Sequence, residues 1–283
     1  MMKNKAFRSI SFISLVLVLF PFSQVVGQTQ RRIARDFVKS LEQTKKVVLI
    51  TEPDYIYMYN LKKDILKKFP GATKEEQDSL LWAHSDFIKQ ISDSTFFVHF
   101  MKGFTKELIT FNLVPYINKV PMGITDPTYK VDLAQVELEE QYYPFVDTAY
   151  YNDKALVFRK DLNALDFSMW FKIHSLPQAK KDTTVLFAEY LLSDMVNDGS
   201  FFMQNNGSIV YYYKMDRLTI KKIYNYVENL GRIYAGYTFD YILNQYIQNH
   251  VTDYNKEKDY WHYDPYNKKL YTDNENRFIN IKD

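Results

Sequence analysis

The sequence predicts an α+β fold: a helical N-terminal third, a mostly antiparallel sheet in the middle, and a C-terminal helix pair followed by short terminal strands. Three observations carry that prediction. Ile33, Phe37 and Leu41 recur at helical spacing near the start. Leu165, Phe167, Met169, Phe171 and Ile173 alternate with other residues at strict period 2, as one buried sheet face requires. Helical spacing then returns, with Ile220, Ile223, Val227 and Leu230 in one stripe and Phe239, Ile242, Leu243, Tyr246 and Ile247 in another.

Residues 1–27 read as a cleavable secretory signal peptide ahead of a mature globular region, 28–283. Lys3, Lys5 and Arg8 give a basic start, Ile10 to Phe22 an apolar run, and Val25-Val26-Gly27 a cleavage-like boundary. A membrane-spanning helix needs ~20 apolar residues. This run is shorter, and Pro21 interrupts it. The expectation is export to the periplasm or beyond, with no transmembrane span after cleavage. The absence of cysteine excludes a thioether lipid anchor, disulfides and thiolate chemistry.

Along the chain, residues 31–46 form an amphipathic helix and Val47 to Ile50 a short buried strand. Thr51, Pro53 and Asp54 resemble a helix start, with Met58, Leu61, Ile65 and Phe69 continuing it to Pro70-Gly71. Thr73 and Glu76 make a capping box for a further helix carrying Leu80, Leu81, His84, Phe87, Ile88 and Ile91. Residues 95–100 alternate like a strand. The Pro- and Gly-bearing stretch 114–129 marks a linker or long loop, where the chain would subdivide. Strands follow at 136–142, 155–160 and 165–173, then a helix at 184–196. Phe201 to Tyr213 reads as a hairpin turning at Asn206-Gly207 in a type I′ turn. Gly231 and Gly236 separate the two late helices or sit within one, and Asp264-Pro265-Tyr266-Asn267 turns a terminal strand pair.

Charge narrows the function. Thirty-six basic and 34 acidic residues leave the whole chain at +2. Removing residues 1–27 takes Lys3, Lys5 and Arg8 and no acid, which brings the mature chain to −1. No global basic field then draws nucleic acid. Lys62-Lys63 with Lys67-Lys68 is a local run on a solvated helix face. The 24 tyrosines and 21 phenylalanines suit cores and half-buried faces before they suit ligand platforms.

No motif assigns chemistry. The histidines at 84, 99, 174, 250 and 262 show no metal-ligand spacing, and His84 reads as a core histidine. No G-x-S-x-G elbow or glycine-rich phosphate loop occurs. Leu230-Gly231 with Tyr234 half-matches a tetratricopeptide helix without a second copy. Asp253, Asn255, Glu257 and Asp259 alternate like calcium ligands but lack the turn glycine. Asn206-Gly207-Ser208 matches a glycosylation acceptor. Glu137 and Glu139 share a strand face, while Asp166, Ser168, Trp170, Lys172 and His174 share another. With His99, these carboxylates and imidazoles are the groups whose convergence would define a site.

The function expected is an exported, non-catalytic binding or structural protein, periplasmic or peripheral to the outer membrane. It would engage an envelope protein or polymer through its sheet face. The alternative is an exported hydrolase acting on glycans or esters. No catalytic residue is assigned, and no cofactor or metal is expected.

Overall fold

A computed structural model describes residues 29–119, 121, 128–176, 185–251, 260–273 and 278–281. Residues 1–27, read from sequence as a signal peptide, and the alternating residues Asp253, Asn255, Glu257 and Asp259 lie outside the described residues.

Helix α1 spans 29–43 and buries Ala34, Phe37, Val38 and Leu41, one apolar stripe at 3.6-residue spacing. Strand β1, Lys46–Thr51, follows directly. From there the N-terminal third departs from the helical expectation. Thr51 does not cap a helix: its hydroxyl donates to the Asp132 carboxylate. The chain instead forms β2, Tyr57–Asn60, and a 3-10 turn, Lys63–Lys68. Thr73 does cap α2, Lys74–Ala83, with the reciprocal Glu76 bond of a capping box. That helix ends at Ala83, buries no residue fully, and leaves His84 exposed at its C-cap rather than in the core.

Residues 95–100, read as a strand, belong to helix α3, Asp93–Thr110. Their β-branched and aromatic character favours a strand locally, but Phe96, Phe97, Phe100, Met101, Phe104 and Leu108 bury one helical face. Val98, off that face, is exposed. Asn112 at φ 60° ends the helix in the left-handed conformation that asparagine tolerates. Strand β3, Leu113–Ile117, leaves it, and β4, Tyr129–Tyr151, enters the same sheet.

The sheet is mixed rather than mostly antiparallel, and this corrects the α+β expectation to mixed α/β. With β5 (Lys154–Ser175), β6 (Val185–Ser193) and β11 (Ile279–Ile281), its six-strand path runs β11-β6-β5-β4-β1-β3, and β2 pairs with β4 as a seventh strand. β1 lies parallel to both β3 and β4, and β2 is also parallel to β4. The segment expected as a helix at 184–196 is largely β6. Leu186, Ala188, Tyr190 and Leu192 turn inward at period 2, opposite Phe171, Met169, Phe167 and Leu165.

β4 and β5 form one long hairpin, longer than the separate short strands predicted. Its two-residue turn is Asn152-Asp153, both at positive φ (48° and 58°), the geometry of a type I′ turn. The bulge at Ala134 shifts the register of β4 by one residue. Both Val131-Leu133 and Val136-Leu138 pairs therefore keep their apolar side chains on the core face. The outer half of the hairpin carries a second layer, β7 (Met195–Met203) and β8 (Ile209–Asp216). Tyr211 stacks on Phe158 at 4.1 Å and donates to Asp147 at 2.6 Å.

The C-terminal helix pair is one helix, α4, Ile220–His250. The two stripes seen in sequence lie on this one helix: Ile223, Val227, Leu230 and Tyr234 bury one face of its first half, whereas residues 238–244 are buried all round, so both faces of its second half are covered. Gly231 does not break the helix. A Cβ there would overlap the Phe100 carbonyl oxygen, and one at Gly103 would overlap that of Glu228, so the two glycines let α3 and α4 approach closely. Helices α3 and α4 pack with α1 on one sheet face. Phe96, Phe100, Phe104, Phe167, Phe171, Phe239 and Phe278 fill the layer between, which gives much of the phenylalanine a core role. The hairpin β9 (Tyr260–Asp264) and β10 (Lys269–Asp273) packs against α4. Among the described residues no helix is long and apolar enough to cross a membrane.

Candidate functional site

The helices lie on the face of Leu138, Leu165, Phe167 and Leu186. The opposite face of the sheet is laid out in cross-strand rows. One row runs Tyr57, Glu137, Ser168, Glu189 across β2, β4, β5 and β6. The next runs Tyr59, Glu139, Asp166, Leu191. Glu139 and Asp166 are thus direct cross-strand neighbours, and Glu189 sits diagonally from Asp166. Like charges placed this way repel, which destabilises the pairing of their strands.

Asp166 registers that repulsion. Its pKa is pushed from 3.8 to about 7, first by burial and then by Glu189, with Glu139 adding to the effect. The Asp166 and Glu189 carboxyls are within hydrogen-bonding reach, and Asp166 Oδ1 is shielded from water without a donor. One proton held by the pair relieves both the repulsion and the missing bond. Burial and the neighbouring Glu137 and Glu189 also raise Glu139. None of Glu137, Glu139, Asp166 and Glu189 makes an ion pair among the described residues. Glu137 accepts a bond from Gln135. On β2, Tyr55 and Tyr57 share a hydroxyl–hydroxyl bond of 2.7 Å beside this acidic strip, and both rings are exposed along with that of Tyr59.

The other expected groups go elsewhere. His174 shares the outer face but lies opposite Lys130, where its Nε2 is 3.8 Å from Asp132 Oδ2. Asp132 is already engaged by Lys130 at 2.7 Å and by Thr51. His99 stands on α3, in the helical layer, stacked on Tyr224 with Nδ1 4.0 Å from Glu228. Of the five groups singled out in the sequence, the structure brings together Glu137, Glu139 and Asp166, adds Glu189, and separates both histidines. Glu189 escaped notice because 184–196 read as a helix, on which no cross-strand partner exists.

Two buried polar networks serve the fold instead. Lys62, assigned from sequence to a solvated face, is buried. Its Nζ donates to Glu140 at 2.7 Å, Asp86 at 2.6 Å and Asn163 at 2.8 Å. Glu140 also accepts the backbone N–H groups of Asp86, Phe87 and Ile88. The second network joins His262 Nδ1 to Asp240 Oδ2 at 2.8 Å and Asn244 to the backbone of Trp261, docking β9 on α4. No group of three or more His, Asp or Glu side chains is placed to hold a metal ion among the described residues. No protein-family model and no curated protein matches this chain.

What the fold and site define is a mixed α/β protein with helices packed on one sheet face and an acidic, tyrosine-flanked strip on the other.

Proposed function

We propose that this is an exported, non-catalytic binding protein of the cell envelope, periplasmic or peripheral to the outer membrane. It engages a basic segment of a partner through the outer sheet face. The observation that carries the reading is the strip of Glu137, Glu139, Asp166 and Glu189, four carboxylates without a cation. Such a strip costs the fold stability, and a lysine or arginine from a partner supplies the missing charge. Tyr57 and Tyr59 flank it with aromatic faces suited to the same cations. The leader-like residues 1–27 support export.

The test is calorimetric titration of the purified chain with poly-lysine. A cation competes with the proton held by Asp166 and Glu189. Affinity therefore rises between about pH 5 and about pH 8 and falls in Asp166→Asn and Glu189→Gln. Equal affinity in wild type and both variants overturns the reading.

A hydrolase of glycans or esters has one observation in its favour: Asp166 holds a proton near neutrality beside Glu139, an acid and a base on adjacent strands. Turnover of chromogenic glycosides or esters, abolished by Asp166→Asn, would establish it.

A further inference from the structure

A second charged feature lies in the helical layer, where α1 faces the tip of the β9–β10 hairpin. Between them is a cleft of about 450 Å³. Arg31, Arg35 and Lys39 line one wall at successive helical turns, and Lys268 and Lys269 line the other. Val38, Tyr263 and Leu270 contribute apolar lining, and Glu42 is the one carboxylate there. All five cations are exposed, and none makes an ion pair among the described residues.

The hairpin turn explains why. Asp264, the carboxylate at the start of the turn that carries these lysines, is consumed by that turn. It accepts from the N–H groups of Tyr266 and Asn267, and from Asn267 Nδ2 at 2.6 Å. Those bonds, with a smaller contribution from Lys269 opposite it across the hairpin, hold its carboxyl below the usual range, engaged by the turn. Lys268, at φ 50°, then turns the chain back, and Lys269 begins β10. The cations thus stand on two well-packed units, α1 through Phe37 against Phe239 and Tyr246, and the β9–β10 hairpin, whose β9 is held by Asn244. Five like charges around one cleft repel, in a chain whose mature charge is close to zero.

We propose that this cleft binds a compact phosphate-bearing ligand. A single carboxylate would leave most of the positive charge uncompensated. A phosphate brings about −1.5 to −2 and three acceptor oxygens. Arginine forks on one wall and ammonium groups on the other suit such a multivalent acceptor. The site is separate from the acidic strip on the opposite sheet face, and neither depends on the other.

Inorganic pyrophosphate titrated into the full chain by calorimetry, and co-sedimentation with phosphatidylcholine vesicles with or without phosphatidylglycerol, test the proposal and its two sources. Pyrophosphate binding that weakens about tenfold or more in Arg35→Glu identifies a soluble phosphate. Sedimentation only with phosphatidylglycerol vesicles, lost in Arg35→Glu, identifies a lipid headgroup. Lys154→Glu at the distant hairpin tip makes the same charge change and retains binding in either case, as does Asp166→Asn. Arg35→Gln serves if the reversed charge disturbs folding, checked by circular dichroism. Failure of wild type to bind either probe, or equal weakening by Arg35→Glu and Lys154→Glu, overturns the proposal.

Discussion

Lys62 and Glu140 meet at 2.7 Å inside the protein, with side chains 1% and 0% exposed. The pair ties the segment after β2 and the 86–88 backbone to the middle of β4. Burial pulls the Lys62 pKa down, but its bonds to Asp86 and Glu140 outweigh burial and leave it raised. Glu140→Ala leaves three N–H donors unmatched and takes from the buried Lys62 ammonium its one fully buried carboxylate, with only the half-exposed Asp86 remaining, and should cost about 3–5 kcal/mol in urea denaturation. Lys62→Met with Glu140→Leu should cost less than the two single changes added, since no charge remains buried alone. Additive losses would show that the two residues act separately.

Gly231→Ala tests the close crossing of α3 and α4. The added methyl meets the Phe100 backbone, which no rotamer change relieves. Separating the helices should cost about 1–3 kcal/mol. Gly236→Ala, in the same helix with open space around it, should be neutral or stabilising. Similar melting temperatures for the two variants would contradict the packing role of Gly231.

Asp166 gives stability a pH dependence of known sign. Its folded pKa, about 7, lies above the ordinary 3.8. The folded state therefore binds the proton more tightly, and the resulting stability is complete below about pH 4 and lost as pH rises through about 7. Asp166→Asn, which cannot ionise, should flatten that portion of the profile and raise stability on its alkaline side. Denaturation curves collected across the window should converge at acid pH. An unchanged slope in the variant would mean that Asp166 does not hold the proton.

The β7–β8 turn makes a narrower prediction. Gly207 sits at φ +80°, donates to the Gln204 carbonyl, and is followed by the Gln204-to-Ser208 bond that closes the loop. Gly207→Ala should destabilise by about 1 kcal/mol, with increased hydrogen exchange concentrated in β7 and β8. Exchange rising equally in α3 and β5 would place the loss in the global fold instead.

This turn also shows how local chemistry was legible while its geometry was not. Asn206-Gly207 marks the correct hairpin, but Asn206 does not take positive φ. The loop is a turn ending in a left-handed glycine and a bulge. Asn206 accepts from Ser208 instead, at 3.0 Å from its backbone N–H. The two positive-φ residues of a type I′ turn occur at Asn152-Asp153, unannounced by any glycine. The acidic strip was half legible. Alternation put Glu137 with Glu139 and Asp166 with Ser168, but only pairing of β4 with β5 and β6 makes Glu139, Asp166 and Glu189 neighbours.

By itself the sequence determined what depends on short spacing: the buried stripe of α1, the Thr73–Glu76 capping box, the inward face of β5, and the absence of cysteine chemistry. Tertiary structure decided what depends on partners distant in sequence. Residues 95–100 have strand-like composition, yet α3 is helical because its phenylalanines pack against α4 and the sheet. Residues 185–193 pair with β5. Lys62 is buried because Glu140 lies 78 positions away to receive it. Propensities differ by about 1 kcal/mol or less per residue, whereas burying an aromatic side chain is worth about 1.5–3 kcal/mol. Where the two disagree, the contact made at long range sets the element.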